Sequence, residues 1–254
     1  MRLKIYILIA ICYFALQLQS CKKEQALALE KVQSETMHID KNIPEDERIL
    51  NYITPYKLRV DTEMGSTLVY SPTSLSKKDS KYNTALGNMM ADAVFEMANP
   101  IFKSRTGYPF NAVLLNYGGI RSTLPKGDVT TRTAYQLMPF DNEVVVVELS
   151  GFQMKEMYQY LAQGTAHPIS NMQITLNSDG SLKDARIQGH SIIDNETYFI
   201  ATSDYLQNGG DNMTFLEKPV SLLNLDYEIR NVLIDYFKSR DTIAPVRDNR
   251  FIKE

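Results

Sequence analysis

Three short stretches hold the residues with chemistry to offer. The first is Asn116-Tyr117-Gly118-Gly119-Ile120-Arg121, directly after the apolar run Ala112-Val113-Leu114-Leu115. The second is Pro139-Phe140-Asp141-Asn142, and the third is Tyr205-Leu206-Gln207-Asn208-Gly209-Gly210-Asp211. The Asn116 amide both donates and accepts, and the planar fork of Arg121 suits an anion or a carboxylate. Gly118 and Gly119 allow positive φ and let another group come close to the backbone. Phe140 and Tyr205 can sandwich a flat ring, each face contributing about 1–3 kcal/mol by analogy with base stacking. Asp211 can accept both hydroxyls of a ribose, as acidic residues do in dinucleotide folds. Taken singly, each residue also fits a plainer role: Arg121 in solvent after a turn, the two rings packing their own loops, Asp211 capping a turn. Taken together they describe a binding site.

Other chemistries find less support. His38, His167 and His190 are far apart, with no H-x-x-x-H run and no other ligand spacing between them. A hydrolytic metal centre needs several converging imidazoles or carboxylates, and nothing points to a purely carboxylate site either. Ser150-Gly151 is not a nucleophile elbow, and no Walker-type phosphate loop occurs. The net charge is −3, more acidic by two once a leader carrying Arg2 and Lys4 is removed. That balance argues against a large nucleic-acid surface, which would need a basic stripe.

The N-terminal end reads as a targeting segment. Arg2 and Lys4 lead a mostly apolar run from Ile5 to Leu18, closed by Leu18-Gln19-Ser20-Cys21. The run is too short and too early for a spanning helix, so residues 1–20 are expected to be a signal peptide. A cysteine after a small residue at its end resembles the bacterial lipobox. Cys21 would then be the acylated first residue, anchoring the protein on the exported side of the bacterial cell envelope. A secreted protein cleaved nearby and a retained anchor helix remain as alternatives. Since Cys12 leaves with the leader and Cys21 takes lipid, the folded body has no thiol, which excludes disulfides and thiolate chemistry.

Several elements must position the three loops. Residues 21–43 read as a polar tether and residues 44–254 as one folded domain, with 44% hydrophobic residues in the whole chain to build its core. A helix is expected from Pro44 into the sixties, a strand at Ser66–Tyr70, a loop from Ser71 to Ser80, and an amphipathic helix from Leu86 to about Asn99-Pro100. Val129 to Leu137 suggests a short helix. The four valines of Val144–Leu149 suggest a strand buried on both faces. A helix over Phe152–Leu161, a hairpin over Met172–Ile187, a strand at Tyr198–Thr202, a helix over Tyr227–Phe237 and a tail from Ile243 to Ile252 complete the chain. Strands and helices mix without strict βαβ alternation, so the expectation is a single α+β domain.

The three loops do not stand alone. Leu86-Gly87-Asn88, Ala91-Asp92-Ala93, Gly127-Asp128-Val129-Thr130, Leu149-Ser150-Gly151 and Arg250 accompany them in order. From about Thr84 to the end, this series resembles the C-terminal domain of 5′-nucleotidases, the periplasmic and ecto-enzymes that dephosphorylate nucleotides. The resemblance implies a four-layer α/β/β/α architecture and a nucleotide or nucleoside ligand. It assigns Phe140 and Tyr205 to the base, Asp211 to the ribose, and Asn116, Gly119 and Arg121 to the first loop of the site. Where ecto-5′-nucleotidases carry an arginine shortly before the Gly-Asn pair, this chain has Ala85, which removes one anionic contact. About sixty residues separate Cys21 from Thr84, too few for the family's metallophosphatase domain. No catalytic residue, metal or other cofactor is therefore expected in this chain, and divalent metals would belong to a separate metallophosphatase subunit. The alternative is a non-catalytic nucleotide- or nucleoside-binding lipoprotein.

Overall fold

The computed structural model describes Tyr13, Leu29, residues 31–40 and residues 42–254. Cys21 and, Tyr13 apart, the leader expected over residues 1–20 lie outside the described residues. Among those described, no helix is long and apolar enough to cross a membrane. The chain divides into two compact units, Met1–Leu50 and Asn51–Glu254. In the first, Asp46 Oδ1 accepts the backbone N–H groups of Arg48 at 2.9 Å and Ile49 at 3.4 Å. These donors are left free by a helix start, so α1 runs Glu47–Gly65 and not from Pro44, with Asp46 as its cap. No residue of α1 is buried.

In the second unit, β1 (Thr67–Ser71) leads to the long α2 (Ala85–Thr106), then β2 (Ala112–Leu114), β3 (Gly127–Thr130), α3 (Thr131–Leu137) and β4 (Glu143–Ser150). After α4 (Gly151–Leu161) come β5 (Ile169–Ser170), β6 (Met172–Leu176), β7 (Leu182–Ile187), β8 (His190–Ser191) and β9 (Thr197–Ser203). The short α5 (Asp204–Gln207), β10 (Ser221–Glu228), α6 (Ile229–Lys238) and β11 (Phe251–Lys253) follow. A five-stranded sheet has the order β10-β4-β9-β2-β5, a four-stranded sheet the order β11-β6-β7-β8, and β1 pairs with β3.

The inner strands β4, β9 and β2 of the five-stranded sheet are apolar on both faces, and strand periodicity sends alternate residues to two cores. Val113, Val144, Val146 and Ala201 join the core under α2 and α6. Ala112, Leu114, Val147, Leu149 and Ile200 join a second core with α4 and the inner face of the second sheet, through Met154, Met157, Ile174 and Ile187. Helices, five-stranded sheet and second sheet thus stack as layers of one α+β domain. The valine run is buried on both faces, as its composition predicts.

Register explains where the loops go. β2 and β9 are parallel (Ala112 opposite Ile200), so both strands end at the same edge of the sheet. β4 is antiparallel to β9, with Val144 opposite Ser203, so its beginning lies at that same edge. The segments after β2, before β4 and after β9 are the three candidate loops.

Four expectations need correction. The second helix does not stop at Pro100 but continues to Thr106, where Gly107 takes φ 86°. Its apolar face continues through Ala98 and Phe102, and Phe102 packs on Phe110 and Phe199, so packing outweighs the missing proline N–H. Val129 belongs to β3, not to the following helix, which starts after Thr130 because that side chain accepts from Thr133 N. Tyr227 lies in β10, an edge strand paired to Val145–Glu148 of β4, and the last helix starts at Ile229. The tail is not irregular throughout, because Phe251–Lys253 adds a parallel strand to β6. One residue of a correctly expected helix also departs from its role: Phe152 in α4 is exposed while Met154, Met157, Tyr158 and Leu161 are buried.

Polar groups in α2 and just before it hold that tail down. Arg250 meets Asp92 with two bonds of 2.9 Å, donates to Asp248 at 2.7 Å, and reaches the Ile169 carbonyl at 2.7 Å. Asn83 donates to the carbonyls of Asp248 and Phe251, and Asn88 to that of Val246. The bidentate fork is specific to arginine, and its removal leaves Asp92 with the Ser170 hydroxyl, at 2.6 Å, but no cation. Arg250→Ala is expected to lower stability by about 2 kcal/mol and to speed amide exchange at Phe251–Lys253 before any other strand. Chemical denaturation with hydrogen exchange checks this, and uniform exchange across both sheets would contradict it.

Candidate functional site

The first loop leaves β2 in extended conformation at Asn116 and makes one 3-10 turn over Tyr117–Gly119. Neither glycine has positive φ, so conformational freedom is not why they are there. Space is the reason: a Cβ on Gly119 would lie 2.7 Å from Asn116 Oδ1, and one on Gly118 3.3 Å from Asn116 Nδ2. The Asn116 amide folds back over the turn and occupies that room. Behind the turn, Lys77 Nζ donates to the Ile120 carbonyl at 2.6 Å and sits 4.4 Å from the centre of the Tyr117 ring. Burial and then the Arg121 charge lower the Lys77 pKa. Arg121 forms no ion pair among the described residues. Its Nη1 lies 3.5 Å from the Gly118 carbonyl and its guanidinium 5.8 Å from the centre of the Phe140 ring.

The second loop is held from behind by the first turn of α6. Buried Arg230 donates to the Phe140 carbonyl at 3.2 Å and to Asp141 Oδ1 at 2.7 Å, with its guanidinium 4.3 Å from the Tyr135 ring centre. Ile229 N donates to the Asn142 carbonyl at 2.9 Å. Asn142 Nδ2 then reaches Asp204 Oδ1 at 3.0 Å, which also accepts the Tyr205 N–H. The loop bearing Phe140 is thereby tied to the loop bearing Tyr205.

The third loop begins at Ser203, whose hydroxyl caps α5 by accepting from Leu206 N. Gly209 (φ 84°), Asp211 (φ 53°) and Asn212 (φ 59°) are left-handed. For the two side-chain-bearing residues this costs about 1–2 kcal/mol each, and hydrogen bonds converging on Asp211 offset it. Asn116 Nδ2 donates to its Oδ2 at 2.7 Å, the Tyr205 hydroxyl to its Oδ1 at 3.0 Å, and the Tyr160 hydroxyl to its carbonyl at 2.9 Å. The Tyr205 ring lies directly over Gly210, where any Cβ would enter the ring.

Asn116, Gly119, Arg121, Phe140, Tyr205 and Asp211 all line one pocket of about 260 Å³. Met90, Leu115, Met138 and Ile229 supply its apolar side. Phe140 and Tyr205 are 40% and 46% exposed and make no ring contact with each other, so each keeps a face for a ligand. Sequence reasoning missed Ser203 and Asn142 as lining residues, Lys77 and Arg230 as supports, and Tyr160 and His167 beneath. Asn142 stood in a quoted motif, whereas Lys77 and Arg230 have no local signal at all. Among the described residues, no three His, Cys, Asp or Glu side chains converge as a metal site needs. The pocket's lining holds one carboxylate, that of Asp211, and no imidazole.

His167 is buried below the first and third loops. Its Nδ1 accepts the Tyr117 N–H at 3.2 Å, and its ring centre lies 5.6 Å from that of Tyr160. Accepting at Nδ1 requires the neutral ring with its proton on Nε2. Burial pushes the pKa down to about 4 from 6.5, with the Asp211 charge opposing. A depressed histidine pKa contributes stability that is present above pH 6.5 and lost as pH falls toward about 4. The loss expected over that window is about 3 kcal/mol. His167→Asn keeps an acceptor that does not titrate, so its denaturation midpoint should change less with acid than that of the unmodified protein. Identical pH slopes for the two would overturn this.

A family model described as 5′-nucleotidase, C-terminal domain matches residues 63–218, more than half of the chain. A 5′-nucleotidase-related protein of Glossina morsitans morsitans is 22% identical over 240 residues, covering 84% of this chain and 43% of that one. Protein UshA of Yersinia enterocolitica is 23% identical over 219 residues, covering 83% and 38%. Among solved structures, the 5′-nucleotidase precursor of Thermus thermophilus superposes with TM-score 0.67 at 21% identity, over 83% of this chain and 44% of that chain. The Haemophilus influenzae NAD nucleotidase gives 0.62 at 16% identity, over 82% and 42%. These structural likenesses show the fold, and this chain spans about two fifths of the length of its relatives. On the family match and the shared fold, the chain belongs to the 5′-nucleotidase C-terminal domain family.

Proposed function

We propose that this protein is the nucleotide- or nucleoside-recognition component of a 5′-nucleotidase-type phosphohydrolase, acting with a separately encoded metallophosphatase. One observation carries the reading: three loops far apart in sequence bring two half-exposed aromatic faces, one carboxylate and one guanidinium to a single pocket. In this reading Phe140 and Tyr205 sandwich the base, each face worth about 1–3 kcal/mol. Asp211 accepts the ribose hydroxyls on oxygens already oriented by Asn116 and Tyr205. Arg121 faces the phosphate at the rim, its charge uncommitted to any carboxylate among the described residues. The names of the matched proteins, 5′-nucleotidase-related protein, 5′-nucleotidase precursor and NAD nucleotidase, agree with a nucleotide ligand.

Hydrolysis would need the partner. Metal ions in a phosphatase unit generate the nucleophile and neutralise phosphate charge, while this chain binds and orients. A second reading is an envelope lipoprotein that captures nucleotides without taking part in catalysis; the Leu18-Gln19-Ser20-Cys21 leader end fits it and the first reading equally. It shares the binding site and the lipid anchor at Cys21 and differs only in lacking the partner.

Calorimetric titration of the purified protein with a nucleoside and nucleotide panel tests the site. Phe140→Ala should weaken binding by about 1–3 kcal/mol, and Asp211→Asn should erase the distinction between ribose and a sugar lacking its hydroxyls. In the same samples, with divalent metal added, no phosphate should be released until a cognate metallophosphatase is supplied. Unchanged affinity for both variants in folded protein, or metal-dependent turnover by the purified chain alone, would refute the assignment.

The anchor has its own test. In the bacterial host, Cys21→Ser should move the protein from the membrane fraction to the soluble one, and a variant that stays membrane-bound would rule out lipidation at Cys21.

A further inference from the structure

The pocket has one carboxylate, that of Asp211, and both its oxygens are engaged by residues of the site. Asn116 holds Oδ2 at 2.7 Å and Tyr205 holds Oδ1 at 3.0 Å. A carboxylate offers about four lone-pair positions, so each oxygen keeps one for a ligand while the plane of the group is set by two donors from different loops. The Tyr160 bond fixes only the Asp211 backbone. Of the two donors on the carboxylate, Tyr205 is the unusual one, because its ring also forms a wall of the pocket.

That ring has little freedom. Gly210 lies against it, and its hydroxyl is bonded to a carboxylate carried on the left-handed turn at Asp211. A ring tilted or displaced would carry the hydroxyl off Oδ1 and release one side of the carboxylate. A flat ligand group stacked on Tyr205 restricts the same tilt. Coupling of this kind is reciprocal: whatever the stacked group does for the carboxylate, a diol on the carboxylate does for stacking.

Resting on the nucleoside reading above, we propose that the Tyr205 hydroxyl couples base recognition to sugar recognition, so that the site selects ligands carrying an aromatic base and a vicinal diol together. Tyr205 is then a positioning residue for Asp211 as well as a stacking surface. A ribonucleoside gains from both parts of the site at once, whereas a free base or a nucleoside without the diol engages only one. The ligand class this favours is ribonucleosides and their phosphates over dideoxy counterparts.

The test compares the affinity of a ribonucleoside with that of its 2′,3′-dideoxy counterpart and uses only their ratio, which cancels stacking energy lost equally by both. Calorimetry on the full chain would cover the unmodified protein, Tyr205→Phe, Asp211→Asn and the double variant. Tyr205→Phe is expected to lower the ratio about tenfold, the size of one hydrogen bond to a charged group, and the double variant should be no worse than Asp211→Asn alone. A ratio unchanged in Tyr205→Phe, or losses that multiply in the double variant, would overturn the coupling. Tyr205→Leu is the second probe: if it lowers the ratio where Tyr205→Phe does not, ring packing and not the hydroxyl is responsible, and the proposal fails. An unmodified protein that binds neither ligand, or both equally, would instead defeat the nucleoside reading itself.

Discussion

A sheet whose central strands are apolar on both faces must be covered twice, and this constraint organises the domain. Val144, Val146 and Ala201 face one way and Val147, Leu149 and Ile200 the other, all buried. At about 25 cal/mol for each Å² of apolar surface removed from water, leaving either face wet would cost more than a domain's net stability. Helices α2 and α6 cover one face, and α4 with the second sheet covers the other. With both faces closed, access to the sheet remains only at the ends of its strands. Parallel β2 and β9 and antiparallel β4 therefore deliver three loops to one edge, where ligand sites of such sheets commonly form.

The motif residues divide between two duties. Asn116, Arg121, Phe140 and Asp211 line the pocket. Asn88, Asp92, Ser150 and Arg250 do not touch it and build the scaffold instead. Asn88, Asp92 and Arg250 fasten the C-terminal tail to α2, and Ser150 caps α4 through a reciprocal pair with Gln153. Gly151 belongs with them, since a Cβ there would collide with the Ile193 carbonyl and Asp194. A motif shared across a family can thus mark a backbone collision or a helix cap as readily as a ligand contact.

Within the pocket, order comes from hydrogen bonds that cross between loops. Asn116 to Asp211, Asn142 to Asp204, and Arg230 to the Phe140 carbonyl each join segments distant in sequence. Left-handed Asp211 and Asn212 are where the backbone gives up local stability, and strained conformations of this kind persist only where their surroundings over-determine them. Tyr160 supplies that support from beneath, its hydroxyl on the Asp211 carbonyl and its ring against His167. Arg230 accomplishes a similar task at the second loop even though its Nε is buried without a partner.

The types and spacing of the residues determined much of this. The valine run announced a strand covered on both sides, the three loops were recognisable from glycine, aromatic and carboxylate neighbours, and the six candidate residues meet at one pocket. Local pattern failed where a distant contact decided the outcome. The helix through Pro100 persists because Phe102 packs on residues that fold beside it. Edge strand β10 and the terminal Phe251–Lys253 exist because β4 and β6 offer them partners. Gly118 and Gly119 were legible as necessary but not for the right cause, since only the folded chain reveals the Asn116 amide occupying the space a Cβ would fill. Lys77, Arg230 and His167 had no signature at all. Composition and periodicity report a residue's preference for burial and backbone shape, whereas hydrogen-bond partners tens of positions away are chosen by the packing of the sheet, and only the tertiary structure decides them.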